Sequence, residues 1–361
     1  MKERIYICHT FYHVYIACLK ELALPKERQG NAALILSTMS NDFLDLPERA
    51  GKCPLFEDVF LFDEKEDAFF AQLQKYHKDR GNLFLNMIAR VIYTRMFGKL
   101  EAAFVPTDLR AYKDIYVFCD SDPIGYYLNY KKIPYHAVED GLDCIRYYDT
   151  ARYDNRGHFD LKAKLSRMGL IFIQNGYGKY CIDMEVNNIS VLQYPCERYV
   201  ECPRKELTAR LTEDDKKLLT ELFLSNYSEL MDTLERARLE GRKGTVLVLT
   251  EPLCDLETRE RIFRDIIRDY TTIDGEQATV LMKPHPRDVL NYKELFTDAV
   301  VLDGGFPMEI LNALPGVRFD RVVTVFTVPD AITCAAEKVF LGEDFMDIYE
   351  APEIHRQNEA I

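Results

Sequence analysis

The chain has 361 residues, which at roughly 150 residues per domain is enough for two domains. Hydrophobic residues make up 47% and charged residues 29%, a globular composition that excludes a disordered chain, a collagen-like fibre and a small disulfide-stapled scaffold. Forty-six Lys and Arg against 59 Asp and Glu give a net charge of −13, which argues against nucleic acid as a partner but not against a small anionic ligand in a local pocket.

The N-terminal stretch MKERIYICHTFYHVYIACLKEL is broken by His9, Thr10 and His13 and has no small-residue cleavage site, so it does not read as a signal peptide. RIYIC (4–8) reads as a strand and Phe11 to Leu22 as a helix. NAALILS (31–37) and VFLFD (59–63) are further strands, and Phe69 to Tyr76 and Asn82 to Lys99 carry helical spacing. DIYVFCD (114–120) is a buried-strand pattern. A short helix through Tyr126 to Tyr130 leads to the strand and turn IPYHAVEDG (133–141). Tyr147 to Asn188 is irregular, Gln193 to Pro203 reads as a connector, and Glu206 to Glu240 is a charged helical region. Alternation then restarts: TVLVLT (245–250), a helix from Leu256 to Tyr270, TVLMK (279–283), and a helix near Val289 to Phe296. AVVLD (299–303), a helix over Pro307 to Leu314, RVVTVF (321–326), a helix over Asp330 to Ala336 and KVFLG (338–342) complete the series. Strands alternating with helices predict parallel sheets in two α/β halves, divided as 1–185 and 186–361.

Ten cysteines, among them Cys8, Cys18, Cys53, Cys119, Cys144, Cys254 and Cys334 scattered singly, show no disulfide framework, which fits a reducing compartment. No run reaches the ~18 apolar residues of a membrane span. The expected location is cytoplasmic, with the inner face of the membrane left open. Two stretches mix basic and apolar residues: Asn86 to Lys99, with Arg90 and Arg95, and Leu161 to Ile173, with Lys162, Lys164 and Arg167. They fit either an anionic membrane surface or helices with one packed and one solvated face.

Ligands in open parallel sheets bind beyond the carboxyl ends of the strands. The polar residues there are His9, Thr10, Asp120, Asp122, Glu139, Asp140, Thr250, Glu251, His285, Arg287 and Thr327. Glu139-Asp140-Gly141 could hold a carboxylate able to deprotonate a hydroxyl, with Gly141 allowing a tight turn; it equally fits an acidic surface turn. In Lys283-Pro284-His285-Pro286-Arg287, two prolines pin the histidine beside an expected helix N-terminus, which suits a cationic imidazole at a phosphate. Pro307 and Glu309 fit the first and third positions of a helix, and Glu309 fits equally a carboxylate that reads ribose hydroxyls. Thr327 precedes Pro329 and fits a phosphate contact or a plain cap. Asp120 and Asp122 could hold a divalent metal against a nucleotide diphosphate, or Asp122 could simply cap a helix begun by Pro123. His9 and His13 have the spacing of a zinc pair, but no third ligand stands out.

The segments ICHTFYH, EDG, KPHPR and FPMEIL are similar to those of glycosyltransferase family 52, the lipooligosaccharide sialyltransferases. Bacterial polysialyltransferases share the acidic-acidic-glycine and His-Pro motifs. The resemblance implies a GT-B fold, two Rossmann-like domains facing across a cleft, with an N-terminal acceptor domain and a C-terminal donor domain. It implies an inverting, metal-independent transfer, with no cofactor, from CMP-sialic acid as co-substrate to an oligosaccharide or glycolipid acceptor. By the same resemblance, Glu139 is the general base, with Asp140 its neighbour. His285 stabilises the departing phosphate. Lys283, Pro286, Arg287, Glu309, Thr327 and Thr250 line the donor, and Thr10, His13 and Asp120 lie on the acceptor side. The family often has two adjacent hydroxyl residues after the last donor strand, where this chain keeps only Thr327. A homodimer and peripheral membrane contact stay open. The rival readings are a metal-dependent glycosyltransferase working through Asp120 and Asp122, and a non-catalytic glycan-assembly protein.

Overall fold

The computed structural model describes residues 2–146, 149–239 and 243–355. Tyr147, Tyr148, Glu240 and residues 356–361, which fall within stretches named above, lie outside the described residues. The chain divides into two compact units, Met1–Leu211 and Thr212–Ala360.

In the first unit the strands are β1 (Lys2–Cys8), β2 (Ala32–Ser37), β3 (Phe56–Phe62), β4 (Tyr112–Phe118), β5 (Tyr135–Val138), β6 (Cys181–Val186) and β7 (Tyr199–Glu201). They form one sheet in the order β3-β2-β1-β4-β5-β6-β7, parallel throughout. The helices are α1 (Phe11–Leu22), α2 (Leu46–Lys52), α3 (Leu83–Glu101), α4 (Pro123–Lys131), α5 (Thr150–Asp154), α6 (Phe159–Arg167) and α7 (Arg204–Ala209). In the second unit, α8 (Glu213–Phe223) and α9 (Tyr227–Leu239) precede β8 (Thr245–Leu249) and α10 (Leu256–Tyr270). The hairpin β9 (Thr272–Ile273) and β10 (Glu276–Gln277), turned by Asp274-Gly275 with both φ positive, leads to β11 (Thr279–Lys283). Next come α11 (Tyr292–Leu295), β12 (Val300–Val301), α12 (Glu309–Ala313), β13 (Phe319–Thr324), β14 (Ala335–Phe340), α13 (Gly342–Met346) and α14 (Pro352–His355). The larger sheet here runs β12-β11-β8-β13-β14, again parallel.

Crossover helices cover both faces of such sheets, so the central strands are continuously apolar rather than alternating. Every residue of β2, β8 and β11 is buried, as are five of seven in β1. Ile5, Ile7, Val117 and Ala137 anchor one core; Val246, Val248, Val280 and Val323 anchor the other. Each sheet has a point where the strand order reverses, between β1 and β4 in one and around β8 in the other. Loops at the carboxyl ends of those strands diverge and leave room for a ligand.

Several expectations need correction. The first sheet continues through β6 and β7, so the division lies after Leu211 rather than after 185; these two strands are short and carry Asp183, Glu185 and Glu201, which hides them as a connector. Phe69 to Tyr76 forms two 3-10 turns, Asp67–Phe69 and Ala71–Tyr76, instead of an α-helix. Asp330 to Ala336 is a 3-10 turn, Pro329–Ala331, followed by β14.

Candidate active site

In the first unit, β1, β4 and β5 deliver their following residues to one place. Thr10 caps α1, its hydroxyl accepting from the His13 N–H at 3.2 Å, and so fixes His13 in the first turn. His13 is fully buried and stacks on Phe118 with ring centroids 4.5 Å apart. Its Nδ1 accepts from the His9 N–H at 3.0 Å, so the neutral ring carries its proton on Nε2. Nε2 donates to Asp140 Oδ1 at 2.6 Å and to the Asp140 carbonyl at 3.0 Å. Burial holds His13 below the usual histidine range, against the pull of Asp140. Cys119, held at φ 56°, donates its thiol to the same Oδ1 at 2.8 Å. Partial burial pushes the Asp140 carboxyl up, but the His13 and Cys119 hydrogen bonds outweigh it and hold that carboxyl well below its usual range. The Asp140 side chain is 54% exposed.

Glu139 is placed differently. Its carboxylate is 1% exposed; Oε2 accepts from the Asn187 N–H at 2.7 Å, and Oε1 is buried with no hydrogen-bond partner. Burial pushes this carboxyl up, opposed by Asn187 and by the nearby Arg204. Gly141 is not in the left-handed region, and a Cβ there would meet only Cys144 Cβ at 3.6 Å. The sharp turn is made at Asp143, φ 55°, whose carboxylate accepts from Asn187 Nδ2 at 2.9 Å.

Behind this pair lies a second imidazole. His9 Nε2 is 2.8 Å from Glu64 Oε2 and 3.3 Å from Asp122 Oδ2. Glu64 also accepts from Ser37 Oγ at 2.6 Å and from the Ile124 N–H at 2.7 Å. Burial alone would lower His9, but Glu64 and Asp122 push it up to about 9, so it is an imidazolium at neutral pH. Glu64 stands one residue beyond the VFLFD pattern, a strand-end position that sequence reading passed over. Among the described residues, His9, His13 and Cys119 bring ligand atoms within 4.8 Å of one another and could hold a metal ion by proximity. Glu64 engages His9 Nε2 and Asp140 engages His13 and Cys119, whereas His9 Nδ1 is buried with no hydrogen-bond partner.

Asp120, expected on the acceptor side, is buried. It is 2% exposed, its Oδ2 accepts from the Tyr135 hydroxyl at 2.8 Å and its Oδ1 from the Asn175 N–H at 3.0 Å. Burial pushes it up to about 6. It ties β4 to β5 and to the loop before β6. Asp122 precedes Pro123 at the start of α4 but makes no capping hydrogen bond; burial pushes it up to about 7 against the attraction of His9.

In the second unit the residues after β8, β11 and β13 converge. The Thr250 hydroxyl accepts from the His285 N–H at 3.1 Å and donates to Asp288 Oδ2 at 3.2 Å. Asp288, its side chain fully buried, also receives Arg259 at 2.6 Å and the Tyr292 hydroxyl at 2.6 Å. Arg259 holds the carbonyls of Leu253 and Cys254 at 2.6 and 2.9 Å. Thr250, Asp288 and Arg259 thus fix the His285 turn from beneath. The helix expected near Val289 to Phe296 is only α11, four residues starting at Tyr292, so its N-terminus does not stand beside His285. His285 Nδ1 accepts from the Arg287 N–H at 3.1 Å, which leaves the proton of the neutral ring on Nε2. Burial, with Arg287 and Lys283 nearby, pushes its pKa down to about 4. The imidazole is therefore a neutral donor, not the cation expected.

Lys283 turns inward. It is 3% exposed, donates to the carbonyls of Pro284 and Gly304 at 2.9 and 3.1 Å, and lies 4.3 Å from the Phe306 ring centroid. Burial pushes it down to about 7. Pro286 and Arg287 are exposed. Glu309 is the first residue of α12, not the third, and its half-buried carboxyl is pushed up by burial against the attraction of Lys283. The Thr327 N–H donates to Glu251 Oε1 at 2.8 Å, and Glu251 also accepts from the Phe326 N–H at 3.0 Å. This carboxylate, rather than a helix N-terminus, organises the loop after β13. Asp288 and Arg259 had no motif to mark them, whereas Glu251 was marked by its place after a strand.

Comparison with known proteins bears on both clusters. The model of glycosyltransferase family 52 matches residues 61–339. An uncharacterized protein of Haemophilus influenzae is 33% identical over 128 residues, 32% of this chain, and the match spans only 40% of that protein's length. Among solved structures, the alpha/beta-galactoside alpha-2,3-sialyltransferase of Photobacterium phosphoreum is similar with a TM-score of 0.51 at 12% identity, over 93% of this chain and 89% of that one. The GT-B domain of a Photobacterium damselae sialyltransferase matches with a TM-score of 0.50 at 10% identity, over 94% of this chain and all of the other. At such identities the likeness establishes the fold, which is GT-B.

Proposed function

The chain belongs to glycosyltransferase family 52, and on that footing we propose that it moves sialic acid, or a related nonulosonic acid, from a CMP-activated donor to a hydroxyl of a cell-surface glycan, with inversion and without a metal ion. The observation that carries this reading is the pair of His13 and Asp140: a buried neutral imidazole of fixed tautomer donating 2.6 Å to a half-exposed carboxylate at the end of β5.

A base must touch the hydroxyl it deprotonates, and geometry takes precedence over basicity. Glu139 has the higher pKa but is sealed from solvent, whereas Asp140 is open. We therefore assign the acceptor proton to Asp140 and a supporting role to Glu139. His13 orients the carboxylate, and the His9–Glu64 pair holds His13. On the donor side His285 Nε2–H is the group for the departing phosphate oxygen. Charge leaves on that oxygen as the sugar becomes oxocarbenium-like, and a fixed donor aimed there contributes roughly 3–4 kcal/mol to transition-state stabilisation. CMP bears a single phosphate, so neutral donors with the exposed Arg287 can serve where a diphosphate would call for a metal. An acceptor that is a glycolipid would be presented at a membrane surface.

The test is calorimetric and kinetic. Binding of CMP, but not UDP or GDP, in the presence of chelator is expected, with Asp140→Asn lowering transfer by about 10²–10⁴-fold. Glu139→Gln should lose less. Retention of full transfer by both Asp140→Asn and His285→Ala would overturn the assignment.

A further inference from the structure

Cys119 holds a backbone conformation that needs support. Its φ of 56° lies in the left-handed region, which residues other than glycine seldom enter. The turn around it supplies that support from both sides. The Asp122 N–H donates to the Cys119 carbonyl at 3.0 Å, and the Gly125 N–H to the Asp122 carbonyl at 2.9 Å. Gly125 lets α4 close on the turn, since a Cβ there would lie 2.0 Å from the Asp120 carbonyl. The next residue, Asp120, is buried and fastened to the Tyr135 hydroxyl and the Asn175 N–H. Strained residues persist only where their surroundings over-determine them, and they cluster at functional sites.

The strained backbone aims one sulfur. Cys119 Sγ donates to Asp140 Oδ1 at 2.8 Å, and His13 Nε2 donates to the same oxygen at 2.6 Å. Two donors from separate elements, the end of β4 and the first turn of α1, thus fall on one carboxylate oxygen. Among the described residues none donates to Oδ2, and the side chain is 54% exposed. Burial, with the Asp140 and Asp122 carboxylates, pushes the Cys119 thiol well up, so it keeps its proton and stays a donor. A single donor leaves a carboxylate free to rotate, whereas a second one, arriving from another direction, fixes its plane.

We infer that Cys119 is a positioning residue for proton transfer: its thiol and His13 together fill the lone pairs of Asp140 Oδ1 and turn Oδ2 to the acceptor hydroxyl, so that Oδ2 is the atom that takes the proton. This rests on Asp140 as the base and names the oxygen which that assignment left open. The hydroxyl proton passes to Oδ2 as the hydroxyl oxygen bonds to the anomeric carbon. The bond from that carbon to the phosphate oxygen breaks, and its electron pair leaves with CMP. Cys119 neither gains nor loses a proton. Its effect on basicity runs the other way, because a carboxylate with one donor fewer is a stronger base. A slower enzyme without the thiol therefore reports lost orientation.

The experiment is Cys119→Gly, in which stability and activity part company. Glycine adopts this φ without strain, so Tm should hold or rise, while kcat falls about tenfold with the acceptor KM unchanged. Cys119→Ser keeps a donor and should restore kcat to within about threefold of wild type. In the Asp140→Asn background Cys119→Gly should cost nothing further. Full kcat in Cys119→Gly, no restoration by serine, or an undiminished loss in the Asp140→Asn background would overturn the inference. The Raman S–H band of Cys119, isolated by difference against Cys119→Gly, should move to higher frequency in Asp140→Asn as its acceptor loses charge. An unmoved band, in an Asp140→Asn enzyme that has lost transfer, overturns the positioning role and leaves the base in place. A shifted band with full transfer in Asp140→Asn defeats the base, and the role of Oδ2 with it, while the thiol contact stands.

Discussion

Replacing His13 by Phe distinguishes the two carboxylates of the acidic motif. The ring keeps its stacking on Phe118 but loses Nε2–H, so Asp140 Oδ1 gives up a 2.6 Å donor and retains only Cys119. A hydrogen bond to a charged group contributes about 1.5–3 kcal/mol. At roughly 1.4 kcal/mol per pKa unit, the Asp140 carboxyl should rise by about one to two units, and its half-exposed position favours the lower figure. A base acts only when deprotonated, so activity falls as pH drops through its pKa. The acid limb of kcat/KM, followed by release of CMP, should therefore move to higher pH by about one unit in His13→Phe. Glu139 does not touch His13, and a limb set by Glu139 would stay in place. The substitution also leaves the His9 N–H without its acceptor, at a cost of about 1–3 kcal/mol in stability, so a melting curve accompanies the profile. An acid limb unmoved within a few tenths of a unit, in a folded variant, refutes Asp140 as the base.

Asp288→Ala strips the buried Arg259 of its carboxylate and should destabilise the second unit by about 3–5 kcal/mol, read as a fall in Tm of roughly 10 °C. His285 is held neutral with a pKa of about 4 against an ordinary 6.5, so between those values the unfolded chain binds the extra proton. Stability from this group is full above pH 6.5 and lost as pH falls to 4, on the order of 3 kcal/mol; urea titrations of His285→Asn should show a flatter dependence across that window. Asp120→Ala should cost about 1–3 kcal/mol by orphaning Tyr135 and the Asn175 N–H, with activity per folded molecule unchanged and no response to chelator; activity lost on chelation and restored by Mg²⁺ would revive the metal reading.

The continuous apolar runs of β2, β8 and β11 were legible because both faces are covered, and α1 and α10 fall within the ends their patterns gave. β6 and β7 were not, since short strands bearing Asp183, Glu185 and Glu201 carry no such run. The motif residues were legible as strand-end polar groups, but their orientation was not. Periodicity cannot say that Lys283 folds back on its own loop, that Glu139 is sealed while Asp140 is open, or that His285 is neutral; the first two depend on neighbours distant in the chain, such as Gly304 and Asn187, and the third on burial. Glu64 was missed for the same reason, since its partners come from other parts of the chain, and Glu251 was named as a strand-end residue without its partners Phe326 and Thr327.

The inward turn of Lys283 has a consequence for how the second unit would hold an anion. With that ammonium spent on two carbonyls and His285 uncharged, attraction rests on oriented dipoles at close range, which dissolved ions barely weaken. Arg287, out in solvent, would add a pull that electrolyte erases. A loop made in this way would choose an anion by outline and donor placement, and would tolerate changes of ionic strength that strip a charge-based site.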